Sequence, residues 1–380
     1  MPIGRVETLA RAAGGWLAWA APALAQSGPS SQSDPKAGNS PIVVTAPAKL
    51  APGETPGDWK RAESDHVIVY SDGDEEQLAR IAGNLEKQHA LLARLYRRPG
   101  NDEEPARPVI VLFDSARAMS DLGLRNRQFE EGPYARPFVP QRYYDPRAEG
   151  SVLALPRVDQ VIDMNTTKAR NADCEDMAAG GVDCIAKTTR HPAMVRPWEA
   201  VLYGAYAQHL VLNYVPAAYP RWYVDGIGAL FSTVVFKRDG SVEYGRPPAE
   251  SYRLVFRAYG LLDTESVLNG EYLHGGAMKM DWTPYHAGLL THYFVFSDLK
   301  DDVRAQFATY MTQIAHGEPM AKAVHAFTLM KKLRYEVMSY AGRDKEFART
   351  ARSSPEPSPP ITPLSRGAAT ALMASLAPTP

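Results

Sequence analysis

The sequence predicts an α+β fold: a small mixed β-sheet with helices on it, followed by a mainly helical subdomain. Two observations carry this expectation. Strand-like, helix-like and strand-like segments follow one another between residues 66 and 113, an order that builds a mixed sheet with helices packed against it. From residue 196 onward the pattern is one of successive helices set off by prolines. With 380 residues the chain is long enough for one large domain or two modest ones. No internal repeat divides it.

Taken in order, residues 1–25 read as a secretory signal peptide. Arg5 and Arg11 flank an Ala-, Trp- and Leu-rich stretch from Ala12 to Ala21, and Ala23-Leu24-Ala25 supplies the small residues of a cleavage site ahead of Gln26. Glu7 and Gly14-Gly15 depart from that pattern and leave a disordered alanine-rich leader as the alternative. Residues 26–57, rich in Ser, Pro, Gly and Ala, read as a disordered linker. Folded structure is expected to begin near Trp59, with one domain over 58–345 made of a sheet subdomain (58–195) and a helical subdomain (196–345). His66–Tyr70 reads as a strand closed by a turn at Ser71-Asp72-Gly73. Leu78, Ile81, Leu85, Leu92 and Leu95 place an amphipathic helix from Asp74 to about Tyr96.

Pro108–Phe113 is apolar enough for a strand buried on both faces, and Ser151–Leu155 makes a third strand. Pro197 and Glu199 suit the first turn of a helix running to about Tyr214. Later helices are expected over about Pro220–Phe236, Pro284–Leu299, Val303–His316 and Met320–Tyr340. Residues 346–380, Ser- and Pro-rich from Ala351, read as a disordered or truncated helical tail.

Composition narrows the function. At 45% hydrophobic and 22% charged the chain is globular in type. A formal net charge of -1 argues against nucleic acid, whose phosphates require a basic surplus. Beyond the leader no run approaches the ~18 apolar residues of a membrane helix, so no membrane span is expected in the mature chain. Cys174 and Cys184 are too far apart for a metal knuckle; a small disulfide loop in an oxidising compartment is the favoured reading, and two free thiols the alternative. The sequence has no Gly-x-Ser-x-Gly elbow, no phosphate-binding loop and no Cys–His pair at a suggestive spacing. Export implies a periplasmic or secreted protein.

The informative stretch is Val201-Leu202-Tyr203-Gly204-Ala205-Tyr206-Ala207-Gln208-His209-Leu210, followed by Arg221-Trp222-Tyr223-Val224-Asp225-Gly226-Ile227-Gly228-Ala229. It resembles the peptidase MA-like branch of the gluzincin metallopeptidases, where one helix carries His-Glu-x-x-His and the next begins with Trp-x-x-Glu-Gly-x-Ala. The likeness takes in the strand from Asp65 to Tyr70, Glu149-Gly150-Ser151-Val152 and Leu289-Leu290-Thr291-His292-Tyr293, about residues 59 to 342 in all. A zincin-like domain is what this resemblance implies. In that family two histidines one helical turn apart hold zinc, the glutamate is general base on the zinc-bound water, and a carboxylate from the next helix is the third ligand.

At those positions this sequence has Gly204 and Ala205 for the first histidine and the glutamate, Gln208 for the second histidine, and Asp225 for the third ligand. Gly204 and Ala205 have no donor atom, and an amide is a poor zinc ligand beside imidazole. Asp225 is one methylene shorter than glutamate, about 1.5 Å of reach. The resemblance therefore implies zinc, yet the ligands are absent, so no cofactor and no catalytic residue are expected. A structural reading of the same segment is a core helix whose small residues permit close packing, with His209 a satisfied histidine and Asp225 a helix cap. His286 and His292 are six residues apart, and His274, His316 and His325 fall in separate elements, so a replacement metal site would have to recruit one of them to His209 and Asp225. By resemblance, Tyr285 and His292 lie near the cleft, as polar remnants of the site or as ordinary core contacts. The aromatic side chains around Tyr203, Tyr206, Tyr214, Tyr219, Trp222 and Tyr223 either line a peptide cleft or fill the core, with the core favoured.

The expectation is an exported, non-catalytic metallopeptidase-like protein that keeps a peptide-sized groove for binding or scaffolding, with a peptide or an envelope protein as partner. The alternatives are an active zinc peptidase with a rebuilt metal site and a relic without function. For the relic, Pro363-Leu364-Ser365-Arg366-Gly367-Ala368-Ala369 looks like the start of the helical extension that similar proteins continue into tetratricopeptide-type repeats.

Overall fold

A computed structural model describes residues 55–96, 104–124, 142–147, 150–162, 194–214, 217–248, 263–274, 277–342, 347–352 and 359–376. Its first half alternates β1 (Pro56–Glu63), β2 (Ile68–Ser71), α1 (Glu75–Tyr96), β3 (Val109–Phe113), α2 (Ala116–Asp121), β4 (Tyr143–Asp145) and β5 (Val152–Pro156). An antiparallel pair of short strands, β6 (Gln160–Ile162) and β7 (Met194–Arg196), leads to α3 (Trp198–Tyr214), α4 (Arg221–Ser232), β8 (Val235–Phe236) and β9 (Ser241–Tyr244). The helical half holds α5 (Thr264–Asn269), α6 (Ala277–Phe296), α7 (Asp301–Ala315), α8 (Met320–Ala323) and α9 (Met330–Ala341). The chain closes with β10 (Arg349–Arg352), β11 (Ile361–Ser365) and α10 (Arg366–Leu376). This is a mixed α+β architecture, as the alternation of segments predicts.

The main sheet runs β11-β1-β2-β3-β5-β4. Its centre, β2-β3-β5, is parallel, and β1, β11 and β4 pair antiparallel. Successive side chains on a strand point to opposite faces. On β3, Ile110 and Leu112 join the large core made with α1, α3 and α4, while Val111 and Phe113 join a second cluster with Leu364, Leu372 and Leu376. Both faces are therefore covered, which matches the uninterrupted apolar run of this strand.

That second cluster corrects the expectation for the tail. Residues 361–376, taken from their Ser and Pro content as disordered or helical only, supply strand β11 beside β1 and then helix α10 over the sheet's second face. Pro363 is tolerated because β11 lies at the sheet's edge, where a missing N–H breaks no ladder.

Three expected helices also differ. The one expected over Pro220–Phe236 ends at Ser232, and Val235–Phe236 is strand β8. α6 begins at Ala277, upstream of Pro284, and packs along α4. The single helix expected over Met320–Tyr340 is split into α8, a 3-10 turn at Val324–Ala326 and α9. The break lies at Phe327, whose backbone is extended (φ -86°, ψ 100°). Its buried ring sits 5.7 Å from Phe294 and 5.4 Å from Tyr310, so aromatic packing outweighs continued helix.

Candidate functional site

Helix α3 is apolar on nearly every side and buried to match, so its stability rests on tertiary packing. The positions matched to the metallopeptidase motif lie where α3 crosses α4. A Cβ added to Gly204 would stand 2.7 Å from the carbonyl oxygen of Gly228, and one added to Gly228 would stand 2.6 Å from Nε2 of Gln208. Ala205 is buried beside them. On its other side α4 meets α6 in the same way: Gly226 lies against Thr291 and the Ala287 carbonyl, and Gly288 against Ala229. Side chains here would push the helices apart; their absence is what lets the backbones touch.

Gln208 bridges the junction. Its Oε1 accepts a hydrogen bond from Nη2 of Arg142, and its Nε2 donates to the carbonyl of Val224 (2.8 Å). Asp225 sits inside α4 rather than at its cap; Pro220 holds the cap. Its carboxylate accepts from Nε of Arg221 at 2.9 Å, the i,i+4 spacing of one helix face. Burial pushes the Asp225 carboxyl up, opposed by the guanidinium groups of Arg221 and Arg142. Desolvation lowers the Arg142 pKa to about 10, opposed by the Asp225 charge. The junction thus carries two guanidinium groups, one carboxylate and an amide with both ends bonded. These residues do not fit a zinc ion: two positions offer no donor, and nearby positive charge repels a cation.

His209 adjoins the junction and is 3% exposed. Its Nδ1 lies 3.0 Å from Tyr144 Oη and 3.2 Å from Asn213 Nδ2. An amide nitrogen can only donate, so Nδ1 accepts and Nε2 carries the proton. That Nε2 is buried with no hydrogen-bond partner among the described residues. Burial lowers the His209 pKa to about 4, keeping the ring neutral at physiological pH. His292 is held at both nitrogens: Nε2 is 2.9 Å from the Phe347 carbonyl and Nδ1 is 2.7 Å from Tyr340 Oη. Because a carbonyl only accepts, Nε2 donates and Nδ1 accepts, which makes His292 a core pin. Its pKa also falls to about 4, by burial. Tyr285 lies on α6, and its side chain is outside the described residues. Cys174 and Cys184 also lie outside them.

Among the described residues, no peptide-sized groove opens between these helices. Beside Gln208, Val211, Tyr219, Tyr223 and Val224 there is a shallow crevice with ≈ 170 Å³ of empty space, open to solvent. A second crevice of ≈ 280 Å³ lies between Ala229, Gly245, Pro247, Pro248 and His292. Tyr203, Tyr206, Tyr214, Trp222 and Tyr223 are core residues. Trp222 Nε1 donates to Tyr310 Oη (3.0 Å), which donates to the Leu268 carbonyl (2.8 Å).

His209 and Asp225 recruit no further histidine into a metal-binding group among the described residues. A different set does converge: ring nitrogens of His66 and His89 and a carboxylate oxygen of Glu104 all lie within 4.8 Å of one another. No motif spacing links these three residues. The one local signal is Glu86-Lys87-Gln88-His89, which sets a carboxylate and an imidazole about one turn apart on α1. Comparisons with protein-family models, curated proteins and solved structures return no match for this chain.

Proposed function

We propose that this chain is a non-catalytic, zincin-like relative of the gluzincin metallopeptidases, exported to the periplasm or beyond, that binds peptide or protein segments without cleaving them. The observation that carries the reading is the α3–α4 junction. The positions that the resemblance assigns to two zinc ligands and the general base hold a glycine backbone contact, an alanine and an amide pinned by Arg142 and Val224. Losing a general base alone removes about 10² to 10⁴ in rate.

Binding is supported by the neighbouring sheet edge rather than by a groove between helices. β4 ends the sheet order, and no strand pairs with its outer side among the described residues. An open edge offers unpaired N–H and C=O groups to an extended peptide, whose side chains then alternate between the faces. Tyr144 on β4 is bonded to His209 on α3, which holds this edge against the junction.

The test is to incubate the purified chain with tryptic casein peptides and follow both partners by mass spectrometry. The reading expects intact peptides and slowed hydrogen exchange at Tyr143–Asp145. Cleaved peptides would contradict the non-catalytic reading, and unchanged exchange would contradict binding at β4.

A further inference from the structure

We infer that His66, His89 and Glu104 form a binding site for a divalent transition-metal ion, with zinc the best match to the donors. The three residues come from separate segments: the β1–β2 connection, the middle of α1 and the approach to β3. Two imidazoles and a carboxylate are a common zinc-ligand set, and they leave a fourth position for water.

The surroundings orient the ligands. Both oxygens of Glu86 are committed to His66: Oε1 accepts from the backbone N–H at 3.0 Å and Oε2 lies 2.6 Å from Nδ1. A proton on Nδ1 satisfies that contact and leaves Nε2 as the coordinating atom, the carboxylate–histidine pairing seen behind metal ligands. His89 has a hydroxyl where His66 has a carboxylate. Its Nδ1 is 3.3 Å from Tyr206 Oη, while its Nε2 lies 3.3 Å from Glu104 Oε2. Tyr214 Oη donates its single proton to Glu104 Oε2 at 2.9 Å, so the 2.7 Å contact from His89 Nε2 is an N–H donated to Oη, a proton that a bound ion displaces.

Charge agrees, and size requires the ligands to move. A tetrahedral ion with bonds of about 2.1 Å needs ligand atoms about 3.4 Å apart, against the 4.8 Å limit within which these atoms lie. Glu104 Oε2 already stands 3.3 Å from His89 Nε2, so the movement falls to His66. The two rings are stacked with centroids 3.8 Å apart and 19° between planes, so coordination also requires them to splay. Glu86 and Glu104 bring negative charge to the cluster. Tyr206 and Tyr214 belong to α3, so a bound ion would tie the sheet's connections to that helix.

The experiment is zinc content of the full-length chain after dialysis in zinc, with cobalt absorption as a spectroscopic readout, on the wild type and on Glu104→Gln, His89→Gln and Asp225→Asn. One equivalent is expected in the wild type and in Asp225→Asn, with affinity at least about tenfold weaker in the other two. Saturating zinc should raise the wild-type Tm by about 5 °C and that of Glu104→Gln by much less. Glu104→Gln keeps an oxygen to accept from Tyr214 Oη while removing the ligand charge, so it separates ligation from folding. A folded wild type without stoichiometric zinc overturns this inference alone. Zinc kept by Glu104→Gln but lost by Asp225→Asn overturns it together with the non-catalytic reading.

Discussion

The two faces of helix α3 differ in what they can hold. Toward α4 it presents Gly204 and Gln208, met by a glycine backbone and the Arg142 guanidinium; on another side it presents Tyr206 and Tyr214, met by His89 and the Glu104 carboxylate. The first face carries the sequence likeness to a metal site and lacks the donors. The second carries donors and has no motif. A place in a fold does not confer chemistry; the atoms present there do.

The largest expected effect is of pH. His209, His286 and His292 each have a pKa lowered by burial to about 4. Their unfolded value is near 6.5, so the unfolded chain binds more protons between pH 6.5 and 4, and stability falls as pH falls through that window. Each histidine contributes about 3 kcal/mol when the window is fully crossed. Glu86 behaves otherwise: burial alone would raise its pKa, but hydrogen bonds from His66 and Ser64 bring it down to about 2. Its share of stability is present above pH ~4.5 and is lost only as pH falls toward 2. Urea unfolding across pH 4 to 8 checks this, and a flat profile between 6.5 and 5 would contradict it.

Next in size is Gly204→Val, which forces α3 off Gly228 and is expected to cost about 3 kcal/mol in the same assay. Gln208→Ala leaves the Val224 carbonyl and the Arg142 guanidinium without their shared partner, for about 2 kcal/mol. Tyr144→Phe removes the hydroxyl beside His209 and is expected to cost about 1 kcal/mol. Smallest is Glu104→Gln without metal, within about 0.5 kcal/mol of wild type because a glutamine oxygen still accepts from Tyr214 Oη. If Glu104→Gln proved more destabilising than Gln208→Ala, the contrast between a packed junction and a cluster awaiting an ion would fail.

Much of the architecture was legible because periodicity and burial agree. Leu78, Ile81, Leu85, Leu92 and Leu95 are buried on α1, and Val109–Phe113 is a central strand. β1 was missed because Pro56–Glu63 contains too few apolar residues to alternate, and its strand character comes from the neighbours β2 and β11. Strand β11 is not legible in the tail, whose Ser and Pro content signals disorder only where nothing needs covering; Leu364, Leu372 and Leu376 answer to the sheet's second face. At the candidate site, the missing ligands were plain in Gly204, Ala205 and Gln208. The bridge from Arg142 was not, since 66 residues separate it from Gln208. The His66–His89–Glu104 cluster was hidden for the same reason: long-range convergence leaves no spacing to read.

Anomalous diffraction at the zinc edge from crystals of the full-length chain grown with zinc tests the contrast between the two faces of α3 directly. The account predicts one peak within bonding distance of His66, His89 and Glu104 and none at the α3–α4 junction. A peak coordinated by Gln208, His209 or Asp225 would contradict it.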